Sequence, residues 1–83
     1  MYQVYILKSL KDYGFYIGCT KNVQKRIIEH NKGRTPSLKN RRPLVIVYVE
    51  ECDNVKDAYK REKEIKSYKG GNEFKKLING GFA

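Results

Sequence analysis

The first part of the chain contains two short apolar segments separated by turn residues. Residues 2–8 (YQVYILK) are rich in valine, isoleucine and tyrosine, a composition that predicts a β-strand. Residues 9–14 include the turn-forming Asp12 and Gly14, and residues 15–19 (FYIGC) predict a second strand. Because the connection between them is so short, we expect the two strands to form an antiparallel hairpin.

Capping residues mark the ends of two helices in the rest of the chain. Asn22 suits the N-cap of a helix that runs to about Lys32, and Gly33 suits the position just beyond its end. In the same way, Asn54 suits the N-cap of a second helix that runs to about Tyr68.

The remaining segments complete the predicted order of elements. Residues 34–42 predict a polar loop, and residues 44–49 (LVIVYV) are apolar without alternation, which is typical of a strand covered on both faces. A short third helix is predicted over residues 72–78, and residues 79–83 are expected to form a loose tail. The order ββαβαα predicts an α+β fold, a three-stranded antiparallel sheet flanked by helices.

Length and charge add a candidate partner. The chain has 83 residues, which favours a single domain with its core at about residues 2–78. Its net charge is +9, with ten Lys/Arg and two acids before Pro43 but eight Lys/Arg and seven acids from Pro43 onward. Such an asymmetry favours a polyanion partner on one side of the molecule, and solubility alone is the simpler alternative.

Several classes of protein are not indicated. The apolar runs are far shorter than the roughly 18 residues of a membrane helix. The first apolar segment has no basic region before it and no small-residue cleavage site after it, so it does not predict a signal peptide. Cys19, Cys52 and a single histidine make a disulfide scaffold or a zinc site unexpected. We expect two reduced cysteines in a cytoplasmic protein.

One carboxylate in the second predicted helix lies on an apolar face. At about 100° per residue, that face is formed by Val55, Ala58, Tyr59 and Ile65. Glu62 falls near its centre, and Lys66 lies close beside it. A buried carboxylate is costly unless it is paired or binds a cation. Two interpretations follow: an ion pair of Glu62 with Lys66 or an arginine, or a metal ligand.

The first predicted helix also places polar chemistry near an apolar stripe. Val23 and Ile27 define the stripe, His30 lies on it, and Arg26 lies at its edge one turn before His30. An arginine can hold a phosphate through paired hydrogen bonds. A histidine can transfer protons near neutral pH, although a helical histidine on an apolar face often has only a structural role.

The hairpin can bring two tyrosines together. Tyr16 and Gly18 share one face of the second strand, and the pairing can place Tyr5 on the same face nearby. Their hydroxyls could accept protons or bind phosphate, or the rings could simply pack in the sheet. Gly18 is either an ordinary strand glycine or a point where a ligand approaches the backbone.

The order and spacing of these motifs carry a resemblance to a known family. The motifs are Val4-Tyr5, Tyr16-Ile17-Gly18, Arg26 with His30 four residues later, and Glu62 within residues 61–66 (REKEIK). In this order they resemble the GIY-YIG nuclease domain over about residues 2–78. They are most similar to its small stand-alone members and to the N-terminal nuclease module of the bacterial excision-repair endonuclease, a DNA-repair enzyme.

The resemblance implies an endonuclease that hydrolyses DNA phosphodiester bonds with one divalent metal, magnesium or alternatively manganese. By position, Glu62 is implied to hold the metal and Arg26 to bind the scissile phosphate. Tyr5 and Tyr16 are implied to line the site, one of them activating or orienting the attacking water, with His30 assisting the proton transfer. A free tyrosine has a pKa of about 10 and needs help to act as a base.

Basic residues around these motifs are candidate contacts for DNA. The predicted nucleic-acid-binding residues are Gly18, Lys32, Arg34, Lys39, Arg41, Arg42 and Lys66. The chain departs from the family pattern in the first motif, which reads Gln3-Val4-Tyr5 and so lacks the glycine and the isoleucine, and at Cys19, where the repair endonuclease has a lysine. Many family members have a late asparagine in the site, for which Asn72 and Asn79 are candidates.

Three functions from different classes are compatible with these features. The first is a metal-dependent nuclease. The second is a nucleic-acid-binding module with the same fold and no catalysis, and the third is a subunit whose basic face docks an acidic protein. Because family nucleases often join this module to a separate DNA-binding domain, a partner protein is a candidate source of targeting. No membrane partner is expected.

Overall fold

A computed structural model describes residues 1–80, and the elements follow the predicted ββαβαα order. The strands are β1 (Tyr2–Ser9), β2 (Phe15–Thr20) and β3 (Leu44–Cys52), and the helices are α1 (Val23–Asn31), α2 (Val55–Ser67) and α3 (Asn72–Gly80). The predicted α+β class and antiparallel sheet are confirmed. No helix within residues 1–80 has the length and apolar content needed to cross a membrane.

The sheet has the order β2-β1-β3, so the first strand lies in the centre. Its residues 4–7 are all buried, because helices cover both faces of the sheet. Residues 44–49 form a strand, as predicted, and helices lie on both faces of the sheet to which it belongs. β3 does contribute side chains to both faces, but it lies at an edge, and Val45 is 37% exposed. A bulge opposite Ile6 and Leu7 interrupts its regular alternation.

Two apolar clusters form on the two faces of β1. One, beneath α2 and α3, contains Val4, Ile6, Tyr48, Ala58, Ile65 and Phe74. The other, beneath α1, contains Tyr5, Leu7, Val23, Leu38 and Leu44. Since successive strand residues point to opposite faces, β1 supplies side chains to both clusters in turn.

Both predicted N-caps are present. Asn22 Oδ1 accepts a hydrogen bond from the Lys25 backbone N–H at 3.1 Å, and Asn54 Oδ1 accepts one from Asp57 at 2.9 Å. Gly33 follows α1 with φ +79°, a conformation that glycine adopts without strain.

Three local predictions were wrong. Residues 36–41, expected within a loop, form a 3-10 helix that begins at Pro36 and buries Leu38 in the cluster beneath α1. Asn79 and Gly80, expected in a tail, are the last residues of α3, and the rest of that predicted tail lies outside the described residues. Tyr59, expected on the buried stripe of α2, is 61% exposed because it lies about 100° around the helix from Ala58.

Candidate active site

Two tyrosines and the histidine form an aromatic cluster between the sheet and α1. The ring centroids of Tyr5 and Tyr16 are 6.3 Å apart, and the Tyr16 and His30 rings meet edge to face at 5.6 Å. Tyr5 Oη lies 3.5 Å from His30 Nε2, at the limit of a hydrogen bond. The hairpin therefore places Tyr5 and Tyr16 on one face, as predicted, and α1 adds His30 to them.

Gly18 lies directly opposite Tyr5 in the antiparallel pairing of β1 with β2. A Cβ atom added at Gly18 would be 2.6 Å from Tyr5 Oη and 2.8 Å from Tyr5 Cζ. The absence of a side chain here gives the Tyr5 phenol room to lie across β2. Gly18, predicted as a contact for nucleic acid, is itself buried in the structure.

His30 is only 2% exposed, and both of its ring nitrogens have neighbours. Nδ1 lies 2.6 Å from Thr35 Oγ1, and Nε2 faces the phenol of Tyr5. Burial, with a further effect from the Arg26 charge, lowers the pKa of His30 below its ordinary value. The imidazole is therefore neutral at pH 7. Sequence reasoning missed Thr35, because nothing in a polar segment five residues after His30 distinguishes it.

Side chains from β1 and α1 hold the two ends of α1 in place. Gln3 Oε1 accepts a hydrogen bond from the Val23 backbone N–H at 2.9 Å, at the start of α1. At its end, the Asn31 side chain accepts from the Leu44 backbone N–H at 2.8 Å and donates to the Leu44 carbonyl at 3.0 Å. These bonds orient the helix that carries the arginine and histidine of the site. Sequence reasoning gave Gln3 and Asn31 no such role.

Arg26 and Glu62 lie on two different helices, α1 and α2, and the charges of both act on the pKa of Tyr5. Burial raises that pKa well above its ordinary value, and Tyr16 raises it further. The Arg26 charge lowers it and the Glu62 charge raises it. Both charged groups therefore lie within electrostatic range of the phenol. Burial prevails, so Tyr5 is a neutral phenol at pH 7.

The surroundings of Glu62 bear on its two interpretations, an ion pair or a metal ligand. Its side chain is 20% exposed, and Lys66 Nζ pairs with its carboxylate at 2.7 Å. The predicted alternative of an ion pair with Lys66 is therefore present. On the sheet side, burial and the neighbouring Glu62 carboxylate raise the pKa of the Cys19 thiol to about 11. Cys19 is thus a neutral neighbour of Glu62 that sequence reasoning did not place there.

The Glu62 carboxylate is suited to bind a divalent metal ion whose other ligands are water and a substrate phosphate. Within residues 1–80, no group of three or more His, Cys, Asp and Glu side chains could hold a metal ion. Magnesium, however, is commonly bound by one or two carboxylates together with water and substrate phosphates. Glu62 can supply that one carboxylate once Lys66, which is itself exposed, releases it.

A polar network on the other side of α2 holds the helix against β3. Arg61 Nε donates to Glu50 Oε2 at 3.0 Å, and its Nη1 pairs with Glu64. Tyr48 also donates to Glu50. Because β2 and β3 lie at opposite edges of the sheet, Arg61 and Glu62 point to opposite edges although they are adjacent in sequence. The network therefore orients the helix that presents Glu62.

The other predicted nucleic-acid-binding residues have different surroundings. Lys32, Arg34 and Lys39 are exposed, near the end of α1 and on the 3-10 helix. Arg41 pairs with Asp12 at 3.1 Å, and Arg42 is half-buried. Asn72 and Asn79 lie at the two ends of α3, both exposed. The structure thus brings Tyr5, Tyr16 and His30 together and places most of the predicted basic residues near or beyond the end of α1.

Comparison with known proteins identifies the class. The chain belongs to the GIY-YIG family, since the model of the GIY-YIG catalytic domain matches residues 1–75. The resemblance inferred from the motifs is confirmed.

Relatives in bacteria share most of the chain. It is 41% identical to a UPF0213 protein of Staphylococcus saprophyticus over 78 residues, 93% of this chain and 94% of the relative. A UPF0213 protein of Syntrophus aciditrophicus is 42% identical over 65 residues, 76% of this chain and 74% of the relative. No solved structure matches the chain.

Proposed function

We propose that the protein is a metal-dependent endonuclease that hydrolyses DNA phosphodiester bonds. One observation carries this proposal: the buried phenol of Tyr5 contacts the imidazole of His30, beside Tyr16 and next to the helix that carries Arg26. Tyr5 lies 3.5 Å from His30 Nε2, and its pKa responds to both Arg26 and Glu62. Membership of the GIY-YIG family supports the same reaction.

The proposed route for the proton uses Tyr5 and His30 together. The attacking water gives a proton to Tyr5 Oη while Tyr5 passes its own proton to His30 Nε2. A relay is needed because the raised pKa of Tyr5 disfavours a free phenolate. The relay requires a neutral imidazole with its hydrogen on Nδ1. The lowered pKa of His30 and the acceptor Thr35 Oγ1 at 2.6 Å favour that form.

Arg26 and Glu62 bind the reacting groups in this proposal. Arg26 is exposed on α1, and within residues 1–80 it forms no ion pair. Its guanidinium is therefore available to bind a phosphate. Glu62 would hold the magnesium, or manganese as the alternative. When bound there, the metal supplies positive charge that stabilises the leaving oxygen.

A cleavage assay with matched variants tests the proposal. Single-stranded, duplex and branched DNA are incubated with the protein in magnesium or in a chelator, and the products are separated on denaturing gels. We expect cleavage in magnesium, with Glu62→Gln slower by roughly 100-fold or more. The matched control is Glu73→Gln, which removes an equal charge from an exposed ion pair on α3 and should cleave like the wild type.

Two outcomes would contradict the nuclease. One is a folded wild-type protein that cleaves none of the DNA substrates. The other is equal cleavage by wild type and Glu62→Gln. Salt-dependent DNA binding without cleavage would instead favour the non-catalytic module, which the net charge of +9 also supports.

A further inference from the structure

A second basic feature lies outside the candidate active site. It is an open cavity of about 450 Å³ beyond the end of α1, which we call the basic pocket. Its lining residues are Lys11, Asn31, Lys39, Asn40, Arg42 and Pro43. Three of the six are cations and none is acidic. Tyr5, Tyr16, Arg26, His30 and Glu62 are not among them.

The three cations of the basic pocket are available to a ligand. Within the described part of the chain, Lys11, Lys39 and Arg42 form no ion pair. The neighbouring Arg41 differs, because Asp12 neutralises it at 3.1 Å. The pocket therefore concentrates uncompensated positive charge, which attracts anions.

Backbone contacts hold one of these cations in place before any ligand binds. Arg42 Nε donates to the Lys39 carbonyl at 2.8 Å, and Nη1 donates to the Asn31 carbonyl at 3.3 Å. A guanidinium has five N–H donors, so others remain for a ligand. The wall is also fixed, because the Asn31 side chain makes both of its hydrogen bonds to Leu44. A preformed site loses little conformational entropy when it binds.

We propose that the basic pocket binds a backbone phosphate of a polynucleotide, separate from the phosphate that is cut. Lys11, Lys39 and Arg42 supply the charge, and the guanidinium of Arg42 supplies oriented donors. The open shape suits a phosphate that enters and leaves along a continuous strand.

The position of the pocket relates it to the candidate active site, and this step rests on the proposed function. Arg26 and Asn31 are five residues apart in α1, which corresponds to about 7.5 Å along the helix axis. Each strand of duplex DNA has a phosphate about every 3.4 Å along its axis. Five residues also turn the helix by about 140°, so a strand that contacts both Arg26 and the basic pocket must pass around α1.

DNA binding in the absence of metal tests the pocket independently of cleavage. The full chain is titrated into a fluorescent 20-nucleotide DNA, single-stranded or duplex, at several salt concentrations, and anisotropy is measured. We expect the double variant K11A/K39A to bind several-fold more weakly, with the slope of log K against log salt reduced by about one. The control K75A/K76A removes the same charge from exposed positions on α3 and should leave the slope unchanged.

The outcomes distinguish DNA binding by the pocket from DNA cleavage, and a polynucleotide ligand from other anionic ligands. Equal weakening by the two double variants would overturn the proposal, because only net charge would then matter. If the pocket variant binds inorganic phosphate less well but DNA normally, the pocket takes free phosphate and the proposal is wrong. Unchanged DNA binding with loss of binding to a poly-glutamate peptide would assign it to an acidic protein, also against the proposal. A chain that never cleaves DNA but binds it through the pocket would refute only the proposed function.

Discussion

Replacing Gly18 by alanine tests whether the close approach of β2 places the phenol of the site. The added Cβ would be 2.6 Å from Tyr5 Oη and 2.8 Å from Tyr5 Cζ. Comfortable contacts between carbon atoms are about 3.5–4.0 Å, so the ring would have to move by roughly 1 Å. Tyr5 is 2% exposed and cannot swing into solvent. The strain must therefore be absorbed by the cluster beneath α1.

The expected cost follows from overpacking a buried site. Extra methylene groups in well-packed cores usually destabilise by about 1–3 kcal/mol. In a domain of this size, each 1 kcal/mol lowers the melting temperature by roughly 4–8 °C. We therefore expect Gly18→Ala to melt about 5–20 °C below the wild type. The displaced phenol should also reduce any cleavage of DNA.

Urea denaturation, monitored by circular dichroism, measures the loss in free energy of unfolding. Two comparisons accompany it. Gly14→Ala is the matched control in the same hairpin, because its added Cβ would meet mainly the flexible end of Arg41. It should cost less than about 1 kcal/mol, the value of an exposed ion pair. In a Tyr5→Leu background, which lacks the Oη and Cζ atoms, the cost of Gly18→Ala should largely disappear. An equal cost in both backgrounds would refute the reasoning.

Three further predictions concern the histidine and the core. Thr35→Val should reduce the free energy of unfolding by about 1–3 kcal/mol, since it leaves buried His30 Nδ1 without a partner, whereas Thr35→Ser should restore most of it in the same urea assay. Burial lowers the pKa of His30, so as the pH falls below 6.5 the unfolded chain binds a proton that the folded chain does not. The free energy of unfolding should therefore decrease as the pH falls from 6.5 toward the lowered pKa. A His30 pKa at or above 6.5, measured by NMR titration, would contradict this. Phe74→Ala should lower the free energy of unfolding by about 3–5 kcal/mol because Phe74 is buried. The control Leu10→Ala, on the exposed turn, should change it by less than about 0.5 kcal/mol. Similar losses in the two variants would refute the assigned core.

The structure also explains why some sequence predictions failed. Tyr59 lies at the edge of the broad apolar stripe of α2, in which only Ala58 and Ile65 are fully buried. Residues 44–49 lack alternation because a bulge interrupts β3 and helices cover both faces of the sheet. Periodicity records which residues are apolar, whereas the position of a strand in the sheet depends on pairing between distant segments.

The sequence by itself determined the elements, the hairpin and the placement of Tyr5 with Tyr16, because capping and strand alternation act over a few residues. Only the tertiary structure decided which distant polar groups meet. It paired His30 with Thr35, anchored α1 through Gln3 and Asn31, and brought Glu62 toward Cys19. It also pairs Arg41 with Asp12, whereas within residues 1–80 the three cations of the basic pocket form no ion pair. These pairings depend on distances between packed elements, which local sequence does not encode.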